Sequence, residues 1–160
     1  IEMESAPAVP GAVDFINSMK SLQVDVIYIT NRECMVRTDG GPECPQKKDT
    51  IDNLLKVGIE NVDPDHVFLK GEQPGWTSEK QSRREMVASN HRIIMLFGDD
   101  LGDFLPDVKS NITQEERSEL VEEYSEHWGR KWFVLDNPTY GSWLNILSDP
   151  KSDYLNGVKQ

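Results

Sequence analysis

The sequence predicts an α/β domain with a mostly parallel sheet and flanking helices, and three observations predict it. Short apolar, β-branched runs alternate with segments of helical period. The stretches between successive runs are long enough to hold the crossover helices that parallel neighbours need. Polar clusters fall where the strands end, which is where open parallel sheets bind ligands. At 160 residues, with 37% apolar and 28% charged, the chain corresponds to a single domain over residues 1–160. With 17 Lys plus Arg against 28 Asp plus Glu, the net charge of -11 leaves no broad basic surface for phosphate backbones, which argues against a nucleic-acid partner. No apolar run approaches the ~20 residues that span a bilayer. The opening IEMESAPAVPG lacks the charged start and apolar core of a secretion signal, and begins without Met, as a processed or truncated product would.

Taken in order, Ala12, Phe15, Ile16 and Met19 share one face and predict a helix from about Gly11 to Leu22. Val24 to Ile29 is too short and too β-branched for a helix and reads as a buried strand that ends at Thr30. Asn31 to Pro45, with Asp39-Gly40-Gly41-Pro42 inside it, has no period and reads as a long loop of the kind that often carries function. Asp49 to Val57 reads as a second helix stopped by Gly58, and Val67-Phe68-Leu69 as a short strand. Ser78-Glu79-Lys80-Gln81 fits a capping box that opens a third helix carrying Arg83, Arg84, Met86 and Val87. Ile93 to Phe97 is the most apolar strand. A second box, Thr113 to Glu116, opens a helix with Leu120, Val121 and Tyr124 inward and Gly129 at its end. Trp132 to Leu135 is the last strand, and Pro138 to Trp143 the loop after it.

The strongest chemical signal is Gly98-Asp99-Asp100-Leu101-Gly102-Asp103-Phe104, where carboxylates crowd together after the apolar strand. Hard oxygen ligands at a strand end suit Mg²⁺, although an acidic turn at a helix start has the same composition. Thr30-Asn31-Arg32 offers a hydroxyl, an amide and backbone donors where a phosphate oxygen could sit; Thr and Asn also form ordinary turns. Lys80, near a helix N-terminus, would favour an anion, although most such lysines are merely solvated. His66, His91 and His127 have no metal-ligand spacing, and Cys34 and Cys44 form no C-x-x-C pair. Asn111-Ile112-Thr113 matches a glycosylation acceptor, but Thr113 already has a capping role. Trp132 reads as core, while Tyr140 and Trp143 suit either core or stacking on a substrate base.

Together, Thr30-Asn31-Arg32, Lys80 with Ser82-Arg83-Arg84, and Gly98 to Phe104 resemble motifs II, III and IV of the class C acid phosphatases, in subclass IIIB of the haloacid dehalogenase superfamily. The resemblance extends from Val9-Pro10-Gly11-Ala12-Val13 to Tyr140-Gly141-Ser142-Trp143. It implies a Rossmann-like domain and Mg²⁺-dependent hydrolysis of small phosphomonoesters, nucleotides among them, through an aspartyl-phosphate. Thr30 would then hydrogen-bond the phosphoryl group with Asn31 supporting the loop, and Lys80 would neutralise phosphoryl charge. Asp99 would ligate Mg²⁺, and Asp103 would complete or orient the metal shell. The family's first motif, Asp-x-Asp-x-Thr on the central strand, is not in this sequence, so the domain is expected to be incomplete at its N-terminal side and its nucleophile strand to be missing from the chain. Asp63-Pro64-Asp65 has the spacing but follows no apolar strand and reads as a turn.

Members of the resembled family are typically exported. The resemblance therefore implies a periplasmic or secreted protein, with any membrane anchoring through an N-terminal lipid or signal segment outside these residues. Cys34 and Cys44, two cysteines in one long loop, are therefore expected to form a disulfide closing the loop after the Thr30 cluster. A non-catalytic storage or binding protein of the same branch, like the plant vegetative storage proteins, would look similar over these residues. A receiver domain like that of response regulators also has acidic residues and a lysine, but leaves Tyr140 to Trp143 unexplained.

Overall fold

The computed structural model describes residues 7–35, 44–137 and 139–147. Asp39-Gly40-Gly41-Pro42 and Pro138, both read as loop, lie outside them. The chain is a mixture of helices and parallel strands, in two compact units, Ile1–Ser78 and Glu79–Gln160, each with one two-stranded parallel sheet among the described residues.

In the first unit, helix α1 spans Ala12–Ser21, with Asp14 in its first turn and Lys20 in its last, the arrangement that complements the helix dipole. Asn17 brackets the Gly58 carbonyl and the Glu60 N–H, which pins α1 to a distant turn. Strand β1 is Tyr28–Glu33 and pairs with β2, Val67–Lys70. The strand therefore starts later than the apolar run and does not stop at Thr30. Its extent is set by the partner: Tyr28 faces Val67, whereas residues 24–27 have no place in the ladder. The register is regular to Thr30↔Leu69 and slips before Glu33↔Lys70. Such a bulge bends a strand and re-aims its side chains.

Helix α2 runs from Pro45 to Lys56, a turn earlier than the apolar period indicates. Its first turn is polar and so carries no hydrophobic signal, but Pro45 needs no hydrogen-bonded N–H there. Gly58, at φ 101, ends the segment as expected. Val67, Leu69 and Cys44 form the core of this unit, with Tyr28, Cys34, Ile51 and Val62 against them. Cys34 and Cys44 are disulfide-bonded, with Cα atoms 4.6 Å apart. In the chain-entropy picture a crosslink of this span stabilises by ~2 to 3 kcal/mol. Urea unfolding with and without reductant should show a difference in unfolding free energy of that size, and coincident curves would refute it.

In the second unit, helix α3 spans Gln81–Asn90 with Lys80, rather than the expected Ser78, as its N-cap and no side-chain cap bond from Lys80. A box needs Gln81 in the third helical position, but here it is the first, and its amide reaches forward to Glu85 at 2.7 Å instead. Strand β3 is Leu96–Gly98 and pairs with β4, Trp132–Val134. The five-residue strand expected from Ile93 is shortened to three residues because β4 offers only three partners. Ile93 and Ile94 are left 38% and 40% exposed.

A 3₁₀ turn follows at Leu101–Asp103, then helix α4, Gln114–Glu123, opened by the expected reciprocal capping box of Thr113 and Glu116. Leu120 and Tyr124 pack inward as expected, but Val121 is 42% exposed, and α4 ends at Glu123, before Gly129. The core is Phe104, Leu105 and Val108 under an aromatic layer in which Trp132 lies against Phe104, Tyr124 and Trp128.

Candidate functional site

The parallel register sets Gly98 beside Val134, so β3 and β4 release their chains at the same end. Asp99 and Asp100 leave from one strand, Asp136 and Asn137 from the other. Asp103 folds back over Gly98, where an added Cβ would lie 2.4 Å from the Asp103 Cβ, so only glycine permits this approach. There Asp103 Oδ2 accepts the N–H groups of Asp99 (3.1 Å) and Asp100 (3.4 Å), while Oδ1 pairs with Lys80 Nζ at 2.6 Å. Both ends of this ion pair are largely buried, which holds the lysine in one place. Arg84 Nη1 donates to the Asp103 carbonyl at 2.9 Å and clamps the loop from behind. Burial lowers the pKa of the Arg84 guanidinium, with Asp103, Glu79 and Glu85 opposing the effect.

Like-charge repulsion among the three aspartates is relieved because each has its own donors. Asp100 Oδ1 accepts from Gly102 N and Ser142 Oγ, both at 2.8 Å, and Oδ2 accepts from Ser142 N. Burial alone would push the Asp100 carboxyl up, but those hydrogen bonds and the charge of Arg117 outweigh it and hold it below its ordinary value. Arg117, itself buried, donates to Ser142 Oγ at 2.9 Å and to the Val108 carbonyl. Asp100 is thus a structural anchor.

Asp99 takes a single side-chain partner, Asn137 Nδ2 on Oδ2, and its Oδ1 has no hydrogen bond among the described residues. Those residues contain no group of three His, Cys, Asp or Glu side chains placed to hold a metal. The donor set therefore fits a hard cation only through one carboxylate, with the remaining positions left to water or phosphate oxygen, the habit of Mg²⁺.

Lys80, Asp99 and Asp103 belong to the second unit, where Asp103 joins the other two. Thr30 and Asn31 belong to the first. Thr30 Oγ1 accepts the Arg32 N–H at 3.2 Å, and the Asn31 amide donates to the Ser78 carbonyl at 3.0 Å. Arg32 Nη1 in turn donates to the buried Thr50 hydroxyl at 3.1 Å. Asp63-Pro64-Asp65 forms a turn as expected, Asp63 Oδ1 accepting the Asp65 N–H at 2.9 Å.

Sequence reasoning missed Asn137, Ser142, Arg84 and Arg117 as supports of the acidic loop. Only Asn137 carried a usable signal, since a polar residue just past a strand parallel to β3 must emerge beside Asp99. The others depend on contacts across 18 to 42 residues that no periodicity reveals.

Two solved structures resemble the chain closely. A class C acid phosphatase from Bacillus anthracis is 32% identical with a TM-score of 0.72, over 98% of this chain. The same kind of enzyme from that organism with tungstate bound is 31% identical, also with a TM-score of 0.72, over 94%. The chain spans 58% and 60% of the lengths of those two proteins. The family described as HAD superfamily, subfamily IIIB (acid phosphatase), matches residues 1–143. With that match over most of its length, the chain belongs to the acid phosphatase family of subfamily IIIB in the HAD superfamily.

Proposed function

We propose that this chain serves the Mg²⁺-dependent hydrolysis of small phosphomonoesters, nucleotides among them, through an aspartyl-phosphate. The observation that carries the reading is the buried Lys80–Asp103 pair at 2.6 Å, in the same loop network as Asp99. A cation held by one carboxylate is a directed charge for phosphoryl oxygen, and its pairing still leaves ammonium protons to donate. For Thr30 and Asn31 the same reading proposes hydrogen bonding to phosphoryl oxygen and support of the strand-end loop. Asp99 would hold Mg²⁺, with Asp103 orienting Lys80 and the loop amides. The ion supplies charge stabilisation to the phosphoryl oxygens when bound.

The attacking carboxylate that this chemistry requires is not among these residues, which contain no Asp-x-Asp-x-Thr. Its attack forms an O–P bond and breaks the ester P–O bond, and the departing alkoxide takes a proton from a general acid before water cleaves the acyl phosphate. Export to an oxidising compartment is part of the proposal and is supported by the Cys34–Cys44 disulfide.

Tungstate, a tetrahedral oxyanion like phosphate, is bound in one of the solved relatives. Calorimetric titration with tungstate tests the reading. Lys80→Met should weaken binding by ~10- to 100-fold, the worth of a hydrogen bond between charged groups. Equal affinity in the variant would remove Lys80 from the anion site.

A further inference from the structure

We infer that Asn137 is a positioning residue for Asp99, holding one carboxylate oxygen so that the other stays available to a divalent cation. The inference rests on the proposed role of Asp99 as metal ligand.

The orientation of the Asn137 amide is settled by its surroundings. Its Oδ1 accepts from Thr139 N (3.3 Å), Thr139 Oγ1 (3.0 Å) and Tyr140 N (3.3 Å). Flipping the amide would set its NH₂ group against two backbone donors, so the NH₂ end must face Asp99. It donates there to Oδ2.

The backbone that carries Asn137 is fixed as well. Leu135 N donates to the Gly98 carbonyl at 2.7 Å, which continues the β3–β4 ladder to the point where both chains leave the sheet. At the far end of the same loop, Ser142 is bound to Asp100 through both its N–H and its hydroxyl. The segment from Asn137 to Ser142 is therefore fastened at two points to the acidic loop, once at each of its adjacent aspartates.

The residue type is informative. A lysine or arginine in this place would neutralise Asp99 and repel a cation, and a carboxylate would repel Asp99 itself. An amide fixes the rotamer of Asp99 and leaves its negative charge for a cation. Groups that hold a metal ligand in this way commonly account for 10- to 100-fold in metal affinity.

The test measures Mn²⁺ affinity by water-proton relaxation and, in metal-free buffer, tungstate affinity by calorimetry, in the wild-type chain and in Asn137→Ala, Thr139→Ala and Asp99→Ala. We expect Asn137→Ala to bind Mn²⁺ ~10- to 100-fold more weakly with tungstate affinity unchanged. Thr139→Ala keeps the amide but removes one of its three donors, and a smaller loss of ~3-fold is expected. If Asn137→Ala does not fold, as judged by its circular dichroism, the Thr139→Ala result alone decides. Loss of Mn²⁺ binding in Asp99→Ala with wild-type affinity in both other variants overturns the inference and leaves the metal reading standing. Wild-type Mn²⁺ affinity in Asp99→Ala, or none in the wild-type chain, overturns both. Equal loss of Mn²⁺ and tungstate binding in Asn137→Ala shows a merely structural role and overturns the inference alone.

Discussion

Replacing Asp99 with alanine in a catalytically complete enzyme is expected to weaken Mg²⁺ binding and to lower phosphomonoester turnover by ~10² or more, as loss of one main electrostatic stabiliser does. The magnitude follows from the division of labour within the loop. Asp100 is consumed by Gly102 and Ser142, and Asp103 by Lys80 and two backbone N–H groups. Neither can turn to a cation without giving up those bonds, and an abandoned Lys80 would be left as a buried, unpaired charge. Asp99 has no substitute within the loop. Because its only side-chain partner among the described residues is Asn137, the substitution should leave the 3₁₀ turn and the Asp100–Ser142 clamp in place. Wild-type Mg²⁺ affinity by calorimetry in a folded Asp99→Ala protein would sink the assignment.

The elements legible in the sequence were those whose information is local. Helix α1 announces itself through Ala12, Ile16 and Met19, and α4 through Thr113 and Glu116, whose capping bonds join residues three apart. Strands β1 and β3 were misjudged in extent for one shared reason, while β2 and β4 fall within one residue of the expected runs. A strand is long where a neighbour offers ladder partners, and neither Val24 nor Ile93 encodes what lies beside it. The apparent box at Ser78 misplaced the helix start, because its composition is right but the helix begins late, at Gln81 with Lys80 as N-cap. In the candidate site, Asp99 and Asp103 were conspicuous by type and clustering, and Lys80 chiefly through the family resemblance. The roles that divide them are not, because Asp99 and Asp103 differ only in their partners: Asn137 for one, Lys80 and the loop backbone for the other. That distinction exists only once Gly98 has let Asp103 fold over the strand end.

A polypeptide of these 160 residues alone is expected to hydrolyse p-nitrophenyl phosphate in Mg²⁺ at least ~10⁴-fold more slowly than one that also carries an Asp-x-Asp-x-Thr segment, by analogy with removal of a nucleophile elsewhere. The described carboxylates with the nearest spacing are already spoken for: Asp63 caps a turn through Asp65 N, and Asp100 and Asp103 hold the acidic loop. On the proposed mechanism Asp99 serves as a ligand, and a carboxylate bound to a cation and to Asn137 is a poor nucleophile. The sheets point the same way. Among the described residues each is two-stranded, and a parallel pair by itself is an uncommon end state because its backbone groups and apolar faces lack cover. Around β3 and β4 that cover is thin, with Phe97 46% and Val134 62% exposed and Ile93 and Ile94 outside the ladder. A strand bearing the nucleophile would supply both the missing carboxylate and hydrogen-bonding partners for such an edge, so activity and stability should rise together when it is added. The measurement is turnover alongside the urea midpoint for the two polypeptides. Comparable turnover would place an unrecognised nucleophile within Ile1 to Gln160, and the aspartyl-phosphate mechanism proposed for this chain would be wrong.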